Sequence, residues 1–167
     1  METKGLILKI EEKPTRLDFL GFIKILVSEG HFTWLLYVFI IKLLRGKNNG
    51  LRVIKIKEEV VGGFFITDIP LEKYKLYNIS NKEVKQKIHQ LMEERYFYFC
   101  CFIVKKQYRN KGLGTFVFTD YMKAEHKKIW FTSLVLATRF YERNGAKIFY
   151  VSPNSTYKYD IYYFDGM

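Results

Sequence analysis

Val104-Lys105-Lys106-Gln107-Tyr108-Arg109-Asn110-Lys111-Gly112-Leu113-Gly114-Thr115 joins an apolar run to a basic loop carrying two glycines. These residue types suit an anion, and phosphate above all. N–H groups at a helix start have no intrahelical acceptor, and together with the helix dipole they attract phosphate oxygens. Gly112 and Gly114 let the backbone approach the anion, since no Cβ intervenes. Arg109 and Lys111 add positive charge. The spacing GxxxxGK[ST] is absent, and so is GxGxxG, which excludes the nucleotide P-loop and the dinucleotide fingerprint. A GxG at a helix start is also common in ordinary turns. The strand before it and the cations around it are what favour phosphate here.

Other residues with chemical potential are few. Cys100 and Cys101 are adjacent. Neighbours in a strand point to opposite faces, so a structural disulfide between them is not expected, and the bland role of buried structural cysteine is favoured over acyl-cysteine chemistry. His31, His89 and His126 lie far apart in sequence and no CxxC is present, so no zinc site is expected.

The elements that must position the loop follow from periodicity. Leu6–Ile10 reads as a strand. Arg16–Ser28 has helical spacing through Leu17, Leu20, Ile23 and Val27, and 32–45 resumes as a second helix. The alternating stretch 51–57 and the apolar stretch 60–69 form an antiparallel hairpin, with Gly62-Gly63 marking a bulge. A helix follows over 81–95, capped by Ser80 or Asn81. Tyr96–Val104 is nine apolar or aromatic residues, expected as a central strand covered on both faces. Beyond the basic loop come a helix over 112–127, a short strand over 129–132 and a helix over 134–143 stopped by Asn144-Gly145. The strands 147–151 and 157–164 close the chain. The order β-α-α-β-β-α-β-α-β-α-β-β describes an α/β (α+β) fold with one mixed sheet, as a single domain over residues 1–167.

Composition agrees with one core-forming domain. The 167 residues are 49% hydrophobic and 27% charged, which excludes a disordered chain. Lys and Arg number 28 against 17 Asp and Glu, a net charge of +11 that points to an anionic partner. Thirteen Tyr and fifteen Phe predict an aromatic core. The most apolar stretch, 32–44, is shorter than the roughly 20 residues of a membrane span, so no membrane association is expected. No secretory leader is evident, and the expected location is cytoplasmic and reducing.

Two motifs together resemble those of the GNAT (Gcn5-related) N-acetyltransferases. That family's Q/R-x-x-G-x-G/A loop is matched by Arg109, Gly112 and Gly114. Its later A-x-x-hydrophobic-Tyr-E-K/R-x-G-F signature is matched by Ala137, Phe140, Tyr141, Glu142, Arg143 and Gly145, with Ala146 in place of the usual Phe. The resemblance covers residues 51–164. It implies a mixed, mostly antiparallel sheet with splayed parallel central strands, Tyr96–Val104 and Ile129–Thr132, and helices on both faces.

The resemblance also implies acetyl-CoA (coenzyme A) as co-substrate. Its pantetheine arm would bond the backbone at Phe102 and Val104. Its pyrophosphate would be held by Arg109, Asn110, Lys111, Gly112, Leu113, Gly114 and Thr115, and Tyr141 would be the catalytic residue that protonates the CoA sulfur. Many relatives carry an asparagine seven residues before that tyrosine, where this chain has Leu134. No general base is evident: strand 96–104 has no carboxylate, and His31 is the weak remaining candidate. The implied reaction is transfer of acetyl to a primary amine on a small molecule, a protein or an aminoacyl-tRNA. Homodimerisation is left open. Two other readings stand beside it: a basic nucleic-acid-binding module, and a CoA-binding sensor without catalysis.

Overall fold

The computed structural model describes residues 2–3, 6–30, 50–67, 82–134, 137–151 and 159–166. They fall into two compact units, Met1–Thr67 with Cys100–Phe116, and Asp68–Phe99 with Val117–Met167. The helix expected over 32–45, His31, the caps at Ser80 and Asn81, and the turn after Val151 lie outside the described residues.

In the first unit, β1 (Glu2–Thr3) pairs antiparallel with β2 (Leu6–Glu11), β2 with β3 (Leu51–Ile56), and β3 with β4 (Glu59–Thr67). β1 was not expected from the sequence, being only two residues long. The hairpin forms as its alternation predicts. Its bulge lies at Val61, where Ile54↔Gly62 is followed by Lys55↔Val60.

Helix α1 (Arg16–Ser28) starts at a capping box in which Thr15 and Asp18 exchange bonds, and it packs on β3 and β4. It turns Phe22, Ile25 and Leu26 inward, whereas Leu17, Leu20 and Val27 of the anticipated apolar face are exposed. The reason is local. Gly63 has no side chain, and a Cβ there would lie 2.8 Å from both the Phe22 ring and the Arg52 carbonyl oxygen. Phe22 fills that space and meets Phe65 edge-on at 5.8 Å. Asp18 on the same inward face forms an ion pair with Lys55 at 2.7 Å. Burial pushes the Asp18 carboxyl up, but the bonds from Lys55 and Thr15 outweigh it and hold it below the usual range.

β5 (Phe97–Val104) is bonded to β4 on one side and β6 (Ile129–Leu134) on the other. The unit boundary falls within it, before Cys100. In the second unit β5 pairs parallel with β6 at Phe97↔Ile129 and Tyr98↔Trp130. β6 pairs antiparallel with β8 (Tyr159–Phe164), and β8 with β7 (Lys147–Tyr150). The sheet is therefore mixed and mostly antiparallel, as expected. Helix α2 (Lys82–Glu93) buries Val84, Ile88 and Leu91, one face at helical spacing.

Three expectations are corrected. The helix expected over 112–127 consists of α3 (Leu113–Thr115), a π-helical stretch Phe116–Tyr121 and α4 (Met122–Ala124). The wider π turn brings residues five apart onto one face, and Val117 and Met122 are both fully buried. Leu134 does not begin a helix. It ends β6, because Ser133 and Leu134 pair with Asp160 and Tyr159 of β8, and helix α5 spans Thr138–Arg143. Finally, β5 is not covered throughout: Cys100, Cys101, Phe102 and Val104 are only half-buried.

Candidate functional site

In the first unit β5 runs into the basic loop. Lys105 N–H donates to the Val61 carbonyl of β4, which fixes where the strand ends. A single tight turn, Lys106–Tyr108, follows. Asn110 (φ 58°) and Gly112 (φ 85°) then take left-handed conformations, and α3 starts with Gly112 as its cap. That φ favours glycine at 112, since an L side chain is strained there. The chain thus turns sharply enough to present the first N–H groups of α3, at Leu113 and Gly114, at a helix start.

Two of the loop's cations, Lys105 and Arg109, pair with carboxylates distant in sequence. Arg109 donates through Nε to the Val104 carbonyl at 2.9 Å and through Nη2 to Glu29 at 2.5 Å. The other Glu29 oxygen accepts Lys106 N–H at 2.9 Å. Lys105 pairs with Glu59 at 2.6 Å, and the Tyr108 hydroxyl donates to the second oxygen of that carboxylate at 2.8 Å. Lys105 and Tyr108 thereby hold the Glu59 carboxyl below its usual range. Lys111 lies over the Tyr108 ring at 5.3 Å. A cavity of about 470 Å³, lined by Ser28, Glu29, Lys105, Lys106 and Gln107, opens beside this arrangement. Sequence reasoning placed Arg109 on the ligand. The structure places its guanidinium on Glu29 and Val104, and neither Glu29 nor Glu59 was foreseen.

Phe102 meets Phe64 edge-on at 6.2 Å. One residue earlier, Cys101 has φ 56°, which breaks the side-chain alternation of β5. The two thiols, expected on opposite faces, instead hydrogen-bond to each other, and both are free. Burial, and then this contact, raise the Cys100 thiol well above its usual range, which makes it a poor nucleophile.

Tyr141 belongs to the second unit, on α5. Asn144 N–H and Ala146 N–H both bond to its carbonyl at 3.1 Å, closing the helix where the Asn-Gly stop was read. Its ring packs on Phe131 (4.5 Å), Phe140 (5.1 Å), Phe118 (5.4 Å) and Tyr162 (5.7 Å). Burial raises its phenol above the ordinary value, an effect partly offset by a hydrogen bond with Ser133. Tyr162 beside it donates to Thr138 at 2.8 Å, and Asp160 is buried 3.5 Å from the same hydroxyl. Such a phenol is a protonated donor at neutral pH. Among the described residues no three His, Cys, Asp or Glu side chains gather as for a metal, and no helix is long and apolar enough to cross a membrane.

No family model and no curated protein matches the sequence. Solved structures do. The chain is similar to an acetyltransferase of the GNAT family from Listeria monocytogenes (14% identity, TM-score 0.61, covering 98% of this chain and 97% of that one). It is similar also to the ribosomal-protein-S18-alanine N-acetyltransferase from Escherichia coli (12%, 0.64, 95% and 93%). A third is an aminoglycoside 6′-N-acetyltransferase complexed with coenzyme A (14%, 0.59, 95% and 95%). The likeness is one of fold: the chain has the fold of the GNAT N-acetyltransferases.

Proposed function

We propose that the chain, acting as one domain, is an acetyl-CoA-dependent N-acetyltransferase. The observation that carries this reading is the strand-to-loop passage at the end of β5. There a basic loop turned by Asn110 and Gly112 presents a helix start, in a fold whose solved examples include an acetyltransferase holding coenzyme A. In this reading the pyrophosphate lies on the N–H groups of Asn110–Thr115, with Lys111 as its counter-charge. The backbone at Phe102 and Val104 bonds the pantetheine arm, and Arg109 holds the loop to the strand.

A neutral primary amine attacks the thioester carbonyl, and the tetrahedral adduct collapses with cleavage of the C–S bond. Tyr141 gives its phenolic proton to the departing thiolate, a role that suits a group still protonated at neutral pH. The proton lost by the amine passes to solvent water and so restores the phenol. Amide and free CoA thiol are the products. The acceptor is a small amine, a protein amine or an aminoacyl-tRNA, and the free cysteines suit a reducing cytoplasm.

The test is acetyl-CoA with a panel of small amines, polyamines, peptides and charged tRNA, read as release of free thiol. Acetyl-CoA raises the melting temperature by mass action, and Arg109→Ala with Gly112→Asp abolishes the rise. A rise that persists in the double variant overturns the loop assignment. A rise with no thiol release for any amine makes the protein a CoA-binding sensor, and salt-sensitive RNA retention without a rise makes it a nucleic-acid binder.

A further inference from the structure

We propose that Glu29, the residue that closes α1, is the positioning residue of the anion-binding loop. It holds the loop from outside, so that the N–H groups after Arg109 meet the ligand already in place. The inference rests on the coenzyme A reading above.

The geometry is a three-way tie. One guanidinium joins the carbonyl that ends β5 to the carboxylate that ends α1, and that carboxylate also takes the N–H of Lys106. The Glu29 side chain is 14% exposed against 43% for Arg109, so the acid is the more desolvated partner. Its place costs the helix something. A carboxylate at a C-terminus opposes the helix dipole, and α1 has no basic residue in its last turn to offset it. The compensation comes from the loop, which supplies both donors.

The loop in turn needs the support. Asn110 takes a left-handed conformation, which asparagine tolerates without preferring it, so contacts on the loop before it help to hold the turn. A carboxylate beside cations can also act as an internal competitor that a phosphate must displace. Here both donors to Glu29, the Arg109 guanidinium and the Lys106 N–H, come from residues before Asn110. Positioning and competition also differ in sign: removing a brace weakens the ligand, whereas removing a competitor tightens it.

The experiment is calorimetric titration of coenzyme A into wild type, Glu29→Ala, Glu29→Gln and the exposed control Glu58→Ala, with amide hydrogen exchange of each ligand-free protein. Loss of a charge-assisted pair should raise the Kd of Glu29→Ala about ten-fold. Exchange over 105–112 should quicken, while kcat at saturating acetyl-CoA stays within about two-fold of wild type, since uniform binding alone is lost. Glu29→Gln keeps an acceptor for Lys106 and loses only the charge, so its Kd rises by about three-fold. It decides the matter where the alanine variant fails to fold. A Kd equal to or below wild type overturns the proposal. If wild type itself binds no coenzyme A, that reading falls, and exchange then decides the brace alone: quicker exchange supports it and unchanged exchange overturns it.

Discussion

Replacing Tyr141 by Phe separates what its ring does from what its hydroxyl does. The four ring contacts, at 4.5 to 5.7 Å, survive the change. What is lost is the hydroxyl and its bond with Ser133. A single hydrogen bond of this kind is worth about 1 kcal/mol, and the melting temperature of a chain this size falls by about 2–4 °C. Truncation to Ala would remove the ring as well, at about 3–5 kcal/mol, and would confound folding with chemistry. If the phenol protonates the leaving thiolate, the Phe variant loses about a hundredfold in kcat, the lower range for a positioned acid. Its Kd for coenzyme A should stay within about two-fold, because the loop proposed to bind it is untouched.

The pH dependence adds an independent check. Burial holds the folded phenol above the ordinary 10.0, so the acid form persists past that pH and wild-type activity keeps its alkaline limb beyond it. The Phe variant has no such limb. By the same sign, the stability that the buried neutral phenol contributes is present below 10.0 and lost as pH rises through the higher folded value. Thiol release with a chromogenic reagent gives kcat, and calorimetry gives Kd. An unchanged kcat, or a loss carried wholly by Kd, refutes the assignment.

Three further outcomes follow from the packing. Gly63→Ala sets a methyl 2.8 Å from the Arg52 carbonyl oxygen and the Phe22 ring, and overpacking of this kind costs about 1–3 kcal/mol. An unchanged urea midpoint would contradict it. Asp18→Asn breaks the pair with Lys55, whose partners are only 7% and 12% exposed, and should cost about 3 kcal/mol. Asp18→Asn with Lys55→Met should recover part of that loss in the same titration. Asp18 and Asp165 are pushed up by burial and more than brought back by their partners, Lys55 and Thr15 for the first, Lys147 and Tyr96 for the second. Both therefore titrate below the ordinary 3.8, and the stability they add is present above that value and lost as pH falls through the lower folded value. Urea midpoints should drop as pH falls below about 4, and less steeply in Asp165→Asn.

The hairpin, α2 and the basic loop were legible because each rests on local information: alternation at 51–57, the 3.6-residue spacing of Val84, Ile88 and Leu91, and glycine beside lysine. The end of β6 was not legible. Ser133 and Leu134 follow a short apolar run and precede helix formers, and only their pairing with Asp160 and Tyr159 holds them extended. Arg109 was recognised, but its bond to Glu29 was not, since that carboxylate lies 80 residues away. Glu59 lies 46 residues from Lys105, a separation at which one sequence carries no signal of contact. The left-handed turn at Cys101 was equally hidden, because nothing but tertiary packing puts a non-glycine residue there. Tyr141 was found through a motif, and its aromatic surroundings, drawn from three other elements, were not.

The two carboxylates around the loop also set how far its charge is felt. Of Lys105, Lys106, Arg109 and Lys111, two are paired with a carboxylate, Lys105 with Glu59 and Arg109 with Glu29, so the local excess is half of what the cations alone suggest. At physiological ionic strength a field of that size fades within about 8 Å. If the loop holds an anion as proposed, the direction of its backbone donors counts for more than the chain's net charge of +11 suggests.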